Sequence, residues 1–172
     1  MTRPSFDIAM KKGAAGEAIV KRLFERRGWV VYQPETEGAH QFDILAIKDK
    51  ASAVAVDVKT KSRMNWYPAT GVNQTHFEEY RRFSEKHSMP FWLVFVDEKL
   101  KKIYGNTISE LEKPRHVDGQ DYPFVKTLKC GTQIRLWPLD AMKPIALLDD
   151  CAATVLTSLS QRSYGYEFED RP

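Results

Sequence analysis

Asp57 and Lys59 stand two apart in the stretch "AVAVDVKTKSR" (53–63), and Asp43 stands in the preceding "FDILAI" (42–47). Both stretches are short, apolar and rich in β-branched or aromatic residues, the composition of strands. In an extended chain Val54, Val56 and Val58 point to one face, and Ala53, Ala55, Asp57 and Lys59 point to the other. Two small apolar positions thus lead straight into an acid and a base, and charges confined to the end of a strand face need a reason. If 42–47 and 53–59 form a hairpin whose loop, Asp49 to Ala51, is centred on Lys50, opposing residues have numbers summing to 100 and Asp43 faces Asp57. Cross-strand carboxylates, with Cβ atoms about 4.5–5.5 Å apart, repel unless a cation stands between them. Hard divalent cations such as Mg²⁺ prefer such oxygen ligands. A different turn register would leave Asp57 and Lys59 as an ordinary ion pair near a sheet rim. Spacing alone leaves both readings open.

The elements that must position these groups follow from periodicity. From Gly13 to Arg27, Ala15, Ile19, Val20, Leu23 and Phe24 recur at helical spacing, and Gly28 follows as a stop. "WVVYQ" (29–33) reads as a strand ahead of the two above. In the sum-of-100 register Leu45 opposes Ala55 and Ile47 opposes Ala53 on one face, while Ile44 opposes Val56 and Ala46 opposes Val54 on the other, so the hairpin is expected mid-sheet with cover on both sides. A loop containing Pro68 and Gly71 leads to a helix over 73–87, with Phe77, Tyr80 and Ser84 on one face, and then to strands "FWLVFV" (91–96) and "KKIYG" (101–105). "TISE" (107–110) has the form of a capping box and predicts a short helix. Beyond Lys113, "KPRHVDGQDYPFVKTLKCG" reads either as a long loop or as one hiding a strand near Phe124. "QIRLWPL" reads as a strand near an edge because of Pro138, "IALLDDCAATVLTSLSQ" (145–161) as a helix, and "SYGYEFEDRP" as a tail.

Bulk properties set the limits. A chain of 172 residues with 42% hydrophobic content can bury one core and is short for two domains, so a single domain over 1–172 is expected, with a core of about 12–105 and a C-terminal extension of about 106–172. The formal charge of +3 permits nucleic-acid binding without demanding it. Cys130 and Cys151 form no CxxC pair, and His40, His76 and His87 have no zinc-motif spacing, so neither a disulfide framework nor a structural zinc site is indicated. The longest apolar run, "FWLVFV", is far short of a membrane span, and Glu17 interrupts the N-terminal stretch that would otherwise pass for a signal sequence; a cytoplasmic protein is expected.

A helix carrying "GE" at 16–17, a strand Asp at 43, "DVK" at 57–59 on the next strand, and then another helix and strand resemble the PD-(D/E)XK nuclease superfamily, and within it the archaeal Holliday junction resolvases and related restriction-endonuclease-like proteins. The resemblance covers about residues 12 to 97. Phe42 stands where the motif has Pro, and Asp57 is the shorter of the two permitted acids. Gln74 and Tyr80 are six apart, an imperfect match to the Q-x-x-x-Y element of some branches. The resemblance implies an α/β fold with an αβββαβ core, a mixed central sheet flanked by helices, and hydrolysis of DNA phosphodiester bonds with Mg²⁺, or Mn²⁺ as a substitute. It assigns Asp43, Asp57 and the Val58 carbonyl to the metal, Lys59 to the attacking water or the developing charge, and Glu17 to the acidic position of the first helix.

Lys61, Arg63 and Trp66 follow the DxK strand, with Tyr67 beside Trp66, and a basic segment next to aromatics suits a phosphate backbone and a stacked base. Gln74 joins them as a candidate DNA contact. The expected partner is DNA, duplex or branched, with no membrane and with a homodimer as a candidate assembly. The rival expectation is a catalytically silent protein of the same fold that binds DNA or a partner protein as a regulatory subunit, since fold does not by itself decide activity.

Overall fold

The computed structural model describes residues 4–34, 40–50, 52–64 and 68–163. Its first element, helix α1 (Pro4–Arg26), begins nine residues before the periodic stripe that predicts it. The added turns carry Phe6 and Met10, which are exposed, and so contribute little to the apolar face. The expected stop is present. Gly28 sits at φ +80°, its N–H bonds the Glu25 carbonyl and the Trp29 N–H bonds the Phe24 carbonyl, a left-handed cap that a residue with a side chain adopts only with strain.

Strands β1 (Val30–Tyr32), β2 (Ile44–Asp49) and β3 (Ser52–Thr60) follow as an antiparallel meander. The β2–β3 pairing is Ile44 with Val56, Leu45 with Ala55, Ala46 with Val54 and Ile47 with Ala53, the register in which numbers sum to 100. The expected loop around Pro68 and Gly71 is instead a strand, β4 (Ala69–Asn73), which runs into helix α2 (Gln74–His87). Then come β5 (Phe91–Asp97), parallel to β3, and β6 (Lys102–Thr107), antiparallel to β5. Thr107 caps the short helix α3 (Ile108–Leu111), its hydroxyl accepting from the Glu110 N–H as "TISE" predicts.

After Lys113 the chain is built of short strands. β7 (Arg115–Val117) pairs with β8 (Gln120–Tyr122), and β9 (Phe124–Thr127) supplies the strand expected near Phe124. β10 (Gln133–Pro138) is not at an edge: it lies between β4 and β9, and Pro138 is tolerated because it is the last rung, opposite Ala69. The predicted helix over 145–161 is two elements. β11 (Lys143–Leu147) adds to β6 as the last strand of the main sheet, and α4 (Asp150–Ser163) begins only afterwards. Here an apolar run serves as a strand because an open sheet edge is available to pair with it. The main sheet has the order β1-β2-β3-β5-β6-β11, a mixed α/β sheet with helices on its faces, as the sequence leads one to expect.

Alternation along β3 and β5 divides the core in two. Val54, Val56, Val58, Val94 and Val96 pack with Val20 of α1 and Leu156 of α4. Ala55, Phe91, Leu93 and Phe95 pack with Phe77 and Tyr80 of α2 and Trp137 of β10. The hairpin is mid-sheet as expected, but on the α2 face the cover thins past β3: Leu45 and Ile47 are only partly buried, and Val30 and Tyr32 are each 57% exposed. Among the described residues no helix is long and apolar enough to cross a membrane, and Cys130 and Cys151 are not joined in a disulfide.

One buried ion pair ties both helices of the first face to the sheet. Lys12 of α1 donates to Glu98 Oε1 at 2.7 Å, and Ser160 of α4 donates to the same oxygen at 2.9 Å, with all three residues buried. Burial pushes the Glu98 carboxyl up, but the hydrogen bonds from Lys12, the backbone and Ser160 outweigh it and leave Glu98 below the ordinary carboxylate value. This clasp therefore contributes stability above pH about 4.5 that fades as pH falls through the lowered value. Lys12→Met, which leaves the carboxylate buried and unpaired, is expected to destabilise the protein by about 3–5 kcal/mol in denaturant unfolding. A loss under about 1 kcal/mol, the scale of a surface pair, would show that the pair is not needed.

Candidate active site

The chemistry gathers where β3 meets β2, β5 and the α1–α2 flanks. Asp57 and Lys59 lie level with Leu93 and Phe95 of β5, on the sheet face covered by α2. Asp57 is 5% exposed, an ionisable group where carboxylates are rarely found without partners. It has two. Lys59 Nζ donates to Oδ1 at 3.0 Å and lies 2.8 Å from Oδ2, and the Tyr80 hydroxyl donates to Oδ1 at 2.9 Å. Among the described residues the buried Oδ2 has that ion-pair contact and no aligned hydrogen bond, which leaves it lone-pair capacity for a further ligand.

Asp43 reaches this carboxylate by a different route from the one the register predicts. The β2–β3 ladder ends at Ile44 with Val56, and Asp43 lies just before β2. Its N–H donates to the Val56 carbonyl at 3.0 Å, one residue out of step, while its own carboxylate accepts the Val58 N–H at 2.7 Å. Asp43 thus hooks over β3 instead of standing opposite Asp57 on a rung. In extended backbone a residue's N–H and C=O share one edge, so the Val58 carbonyl is directed to the same side as Asp43.

The electrostatics follow from burial and crowding. The Asp43 carboxyl is pushed up to about 7 by burial and by the charge of Asp57, against the pull of the Val58 N–H, with Glu17 adding to the rise and Lys59 opposing it. Glu17 of α1 is half-buried and also raised, by desolvation first and by Asp57 second, with Lys59 and His40 opposing. It comes close because Gly16 lets α1 lie against the end of β3: a Cβ there would sit 1.8 Å from Thr60 Oγ1. Glu17, Asp43, Asp57 and Lys59 are therefore brought within one another's fields from three separate parts of the chain.

Of the candidate nucleic-acid contacts, Lys61 is turned inward. Its ammonium donates to the Gly71 carbonyl and lies 5.8 Å over the Phe95 ring, and burial with the nearby Lys59 charge lowers it to about 8, against the opposing pull of Asp57. Contact with phosphate would require it to leave that carbonyl. Arg63 has an exposed side chain and a backbone N–H bound to Asp97. Gln74, at the start of α2, donates to Glu78 Oε1 at 2.9 Å, while its own Oε1 is buried and meets no donor among the described residues. Trp66 lies outside the described residues, as does Tyr67. Sequence reasoning missed the bond from Tyr80 to Asp57. The available signal was a tyrosine on an apolar helix stripe, whose hydroxyl needs a partner once buried.

A bound divalent ion fits what is present. Asp57 offers an oxygen with no aligned hydrogen bond among the described residues, Asp43 is held above its ordinary value by burial and the Asp57 charge, which a cation would offset, and both are hard donors. Among the described residues no group of three or more His, Cys, Asp or Glu side chains closes around a common point, so the set is not an all-protein cage. Mg²⁺ suits such an open set, since it commonly takes one or two carboxylates and completes its shell with water and substrate phosphate.

No protein-family model matches this sequence, and no curated protein matches it. Among solved structures the chain is similar to Hjc, a Holliday junction resolvase from the archaeal hyperthermophile Archaeoglobus fulgidus, at 11% identity and a TM-score of 0.49 over 83% of this chain and 93% of that one. It is also similar to D212, a nuclease from a fusselovirus, at 10% identity and a TM-score of 0.44 over 85% of this chain and 88% of that one.

Proposed function

We propose that this protein is a Mg²⁺-dependent endonuclease that hydrolyses phosphodiester bonds in DNA, duplex or branched, with Mn²⁺ as a substitute metal. The observation that supports this most is the convergence of Asp43 and Asp57, the first raised by burial and by the second's charge, the second with one oxygen that makes only an ion-pair contact among the described residues, beside the ammonium of Lys59. Asp43, Asp57 and the Val58 carbonyl would hold the metal, which supplies charge stabilisation at the phosphoryl oxygens and a water that is acidic near neutral pH. Lys59, on the face of Asp57, orients the attacking water or offsets charge developing on the phosphate. Tyr80 fixes the Asp57 carboxylate through Oδ1, while Oδ2 has only its ion-pair contact with Lys59 among the described residues. Glu17 adds a third carboxylate at the flank, and Arg63 projects from the segment that leaves the catalytic strand.

The test is incubation of the protein with branched, nicked and linear DNAs and with RNAs, in Mg²⁺, Mn²⁺ or EDTA. Cleavage within DNA strands that is lost in EDTA is expected. No cleavage of any substrate with either metal would turn the reading to a silent protein that binds nucleic acid or a partner.

A further inference from the structure

Asp97, the last residue of β5, is 0% exposed, and the donors it meets among the described residues are neutral. Oδ1 accepts the Lys99 and Leu100 N–H groups at 3.0 and 2.9 Å, a local turn that leads toward β6. That turn would be satisfied equally well by an aspartate at the surface. Oδ2 does something else: it accepts the Tyr104 hydroxyl at 3.1 Å and the Arg63 backbone N–H at 2.8 Å, from a residue 34 positions away.

Arg63 lies in the segment that leaves the catalytic strand, and that segment is pinned on both sides. The Lys61 N–H bonds the Lys59 carbonyl at 3.2 Å, the Lys61 ammonium bonds the Gly71 carbonyl, and the Met64 N–H bonds the Ala69 carbonyl at 2.9 Å. The main chain at Arg63 is thus fixed just beyond the end of β3 at Thr60, while its side chain stays exposed.

We infer that Asp97 is a positioning residue: by holding the Arg63 amide it presents the guanidinium to a backbone phosphate of the bound DNA. This rests on the nuclease reading above. Phosphate contacts fix the register of a nucleic acid on a protein, and an arginine launched from an ordered main chain gives up less conformational freedom on binding than one on a loose loop. The neighbouring Glu98 is the natural control. It is similarly buried, but it serves Lys12 and Ser160 on the opposite sheet face and has no bond to the segment after β3 among those described.

The experiment measures binding of fluorescein-labelled duplex and four-way-junction DNA in EDTA, as a function of salt, by the wild type, Asp97→Asn, Arg63→Gln, their double variant and Glu98→Gln. Arg63→Gln is expected to weaken binding several-fold and to lower the salt slope by about one. Asp97→Asn should do the same, should add nothing in the Arg63→Gln background, and should speed hydrogen exchange at the Arg63 amide. Glu98→Gln should lower the melting temperature and leave affinity unchanged. If Asp97→Asn does not fold, Tyr104→Phe, which loosens the same oxygen, is read in its place and should show the same pattern at smaller amplitude. Normal affinity and salt slope in the Asp97 variant, losses additive with Arg63→Gln, or the same losses in Glu98→Gln would each overturn the positioning role. Because binding is read without cleavage, a wild type that cuts DNA while Asp97→Asn binds normally overturns this inference alone. A wild type that binds through Arg63 and Asp97 but cuts nothing overturns only the nuclease reading.

Discussion

Asp57→Ala is expected to lower DNA cleavage by about a thousandfold or more, a loss of at least about 4 kcal/mol of transition-state stabilisation. The effect is large because this one carboxylate has three duties: it offers Oδ2 to the proposed metal, it holds the Lys59 ammonium and it receives the Tyr80 hydroxyl. Removing it strands the Lys59 ammonium and the buried Tyr80 hydroxyl as well as taking away the metal ligand. Asp43→Ala and Lys59→Ala should fall to similar levels, measured as single-turnover rates at saturating DNA so that binding does not enter. Glu17→Ala should lose part of the rate, because Glu17 reaches the site from the flank and acts on it through its charge. Arg63→Gln should weaken binding and keep most of the rate at saturation. Full cleavage by Asp57→Ala would remove the site assignment altogether.

Metal-linked stability gives a second result of comparable weight that needs no substrate. The folded-state value of Asp43, about 7, lies above its ordinary 3.8, so the folded protein binds this proton more tightly than the unfolded chain does. The contribution to stability is therefore present below pH about 3.8 and is lost as pH rises through about 7, where the ionised Asp43 faces the charge of Asp57. At pH about 8 in EDTA, above that range, Asp57→Asn relieves the repulsion and is expected to be at least as stable as the wild type. Mg²⁺ binding only to the folded wild type adds RT ln(1 + [L]/Kd), about 2.7 kcal/mol at a hundredfold excess over Kd, or roughly 5–10 °C in melting temperature for a chain of this size. Asp57→Asn should lose most of that gain. Were Asp57 merely the partner of Lys59 in a structural ion pair, the variant would be less stable in EDTA and metal would move neither protein. Melting curves of both proteins in EDTA, Mg²⁺ and Mn²⁺ separate the two cases. A wild type indifferent to both metals at millimolar concentration, with and without DNA, would count against a metal site at Asp43 and Asp57.

Short-range pattern in the sequence determined the strand that carries Asp57 and Lys59 and its partner. Alternation along 42–47 and 53–59 specifies which side chains share a face, and of the registers the turn leaves open the one that sums to 100 is observed, from Ile44 with Val56 to Ile47 with Ala53. Gly28 as a helix stop and "TISE" as a cap are equally local, and both are found. Tertiary structure decided the rest. The departure of Asp43 from the ladder, the Tyr80 bond to Asp57 across 23 positions, the turning of Lys61 inward to Gly71 and the hold of Asp97 on Arg63 all join elements whose approach is set by packing. The same is true of the strands that sequence reading took for loop or helix: β7 and β8 are three residues each, too short for a period to show, and "KPIAL" is a strand because β6 offers it an edge. Periodicity records how one segment meets water and core, whereas a site assembled from α1, β2, β3 and α2 depends on where distant segments meet one another.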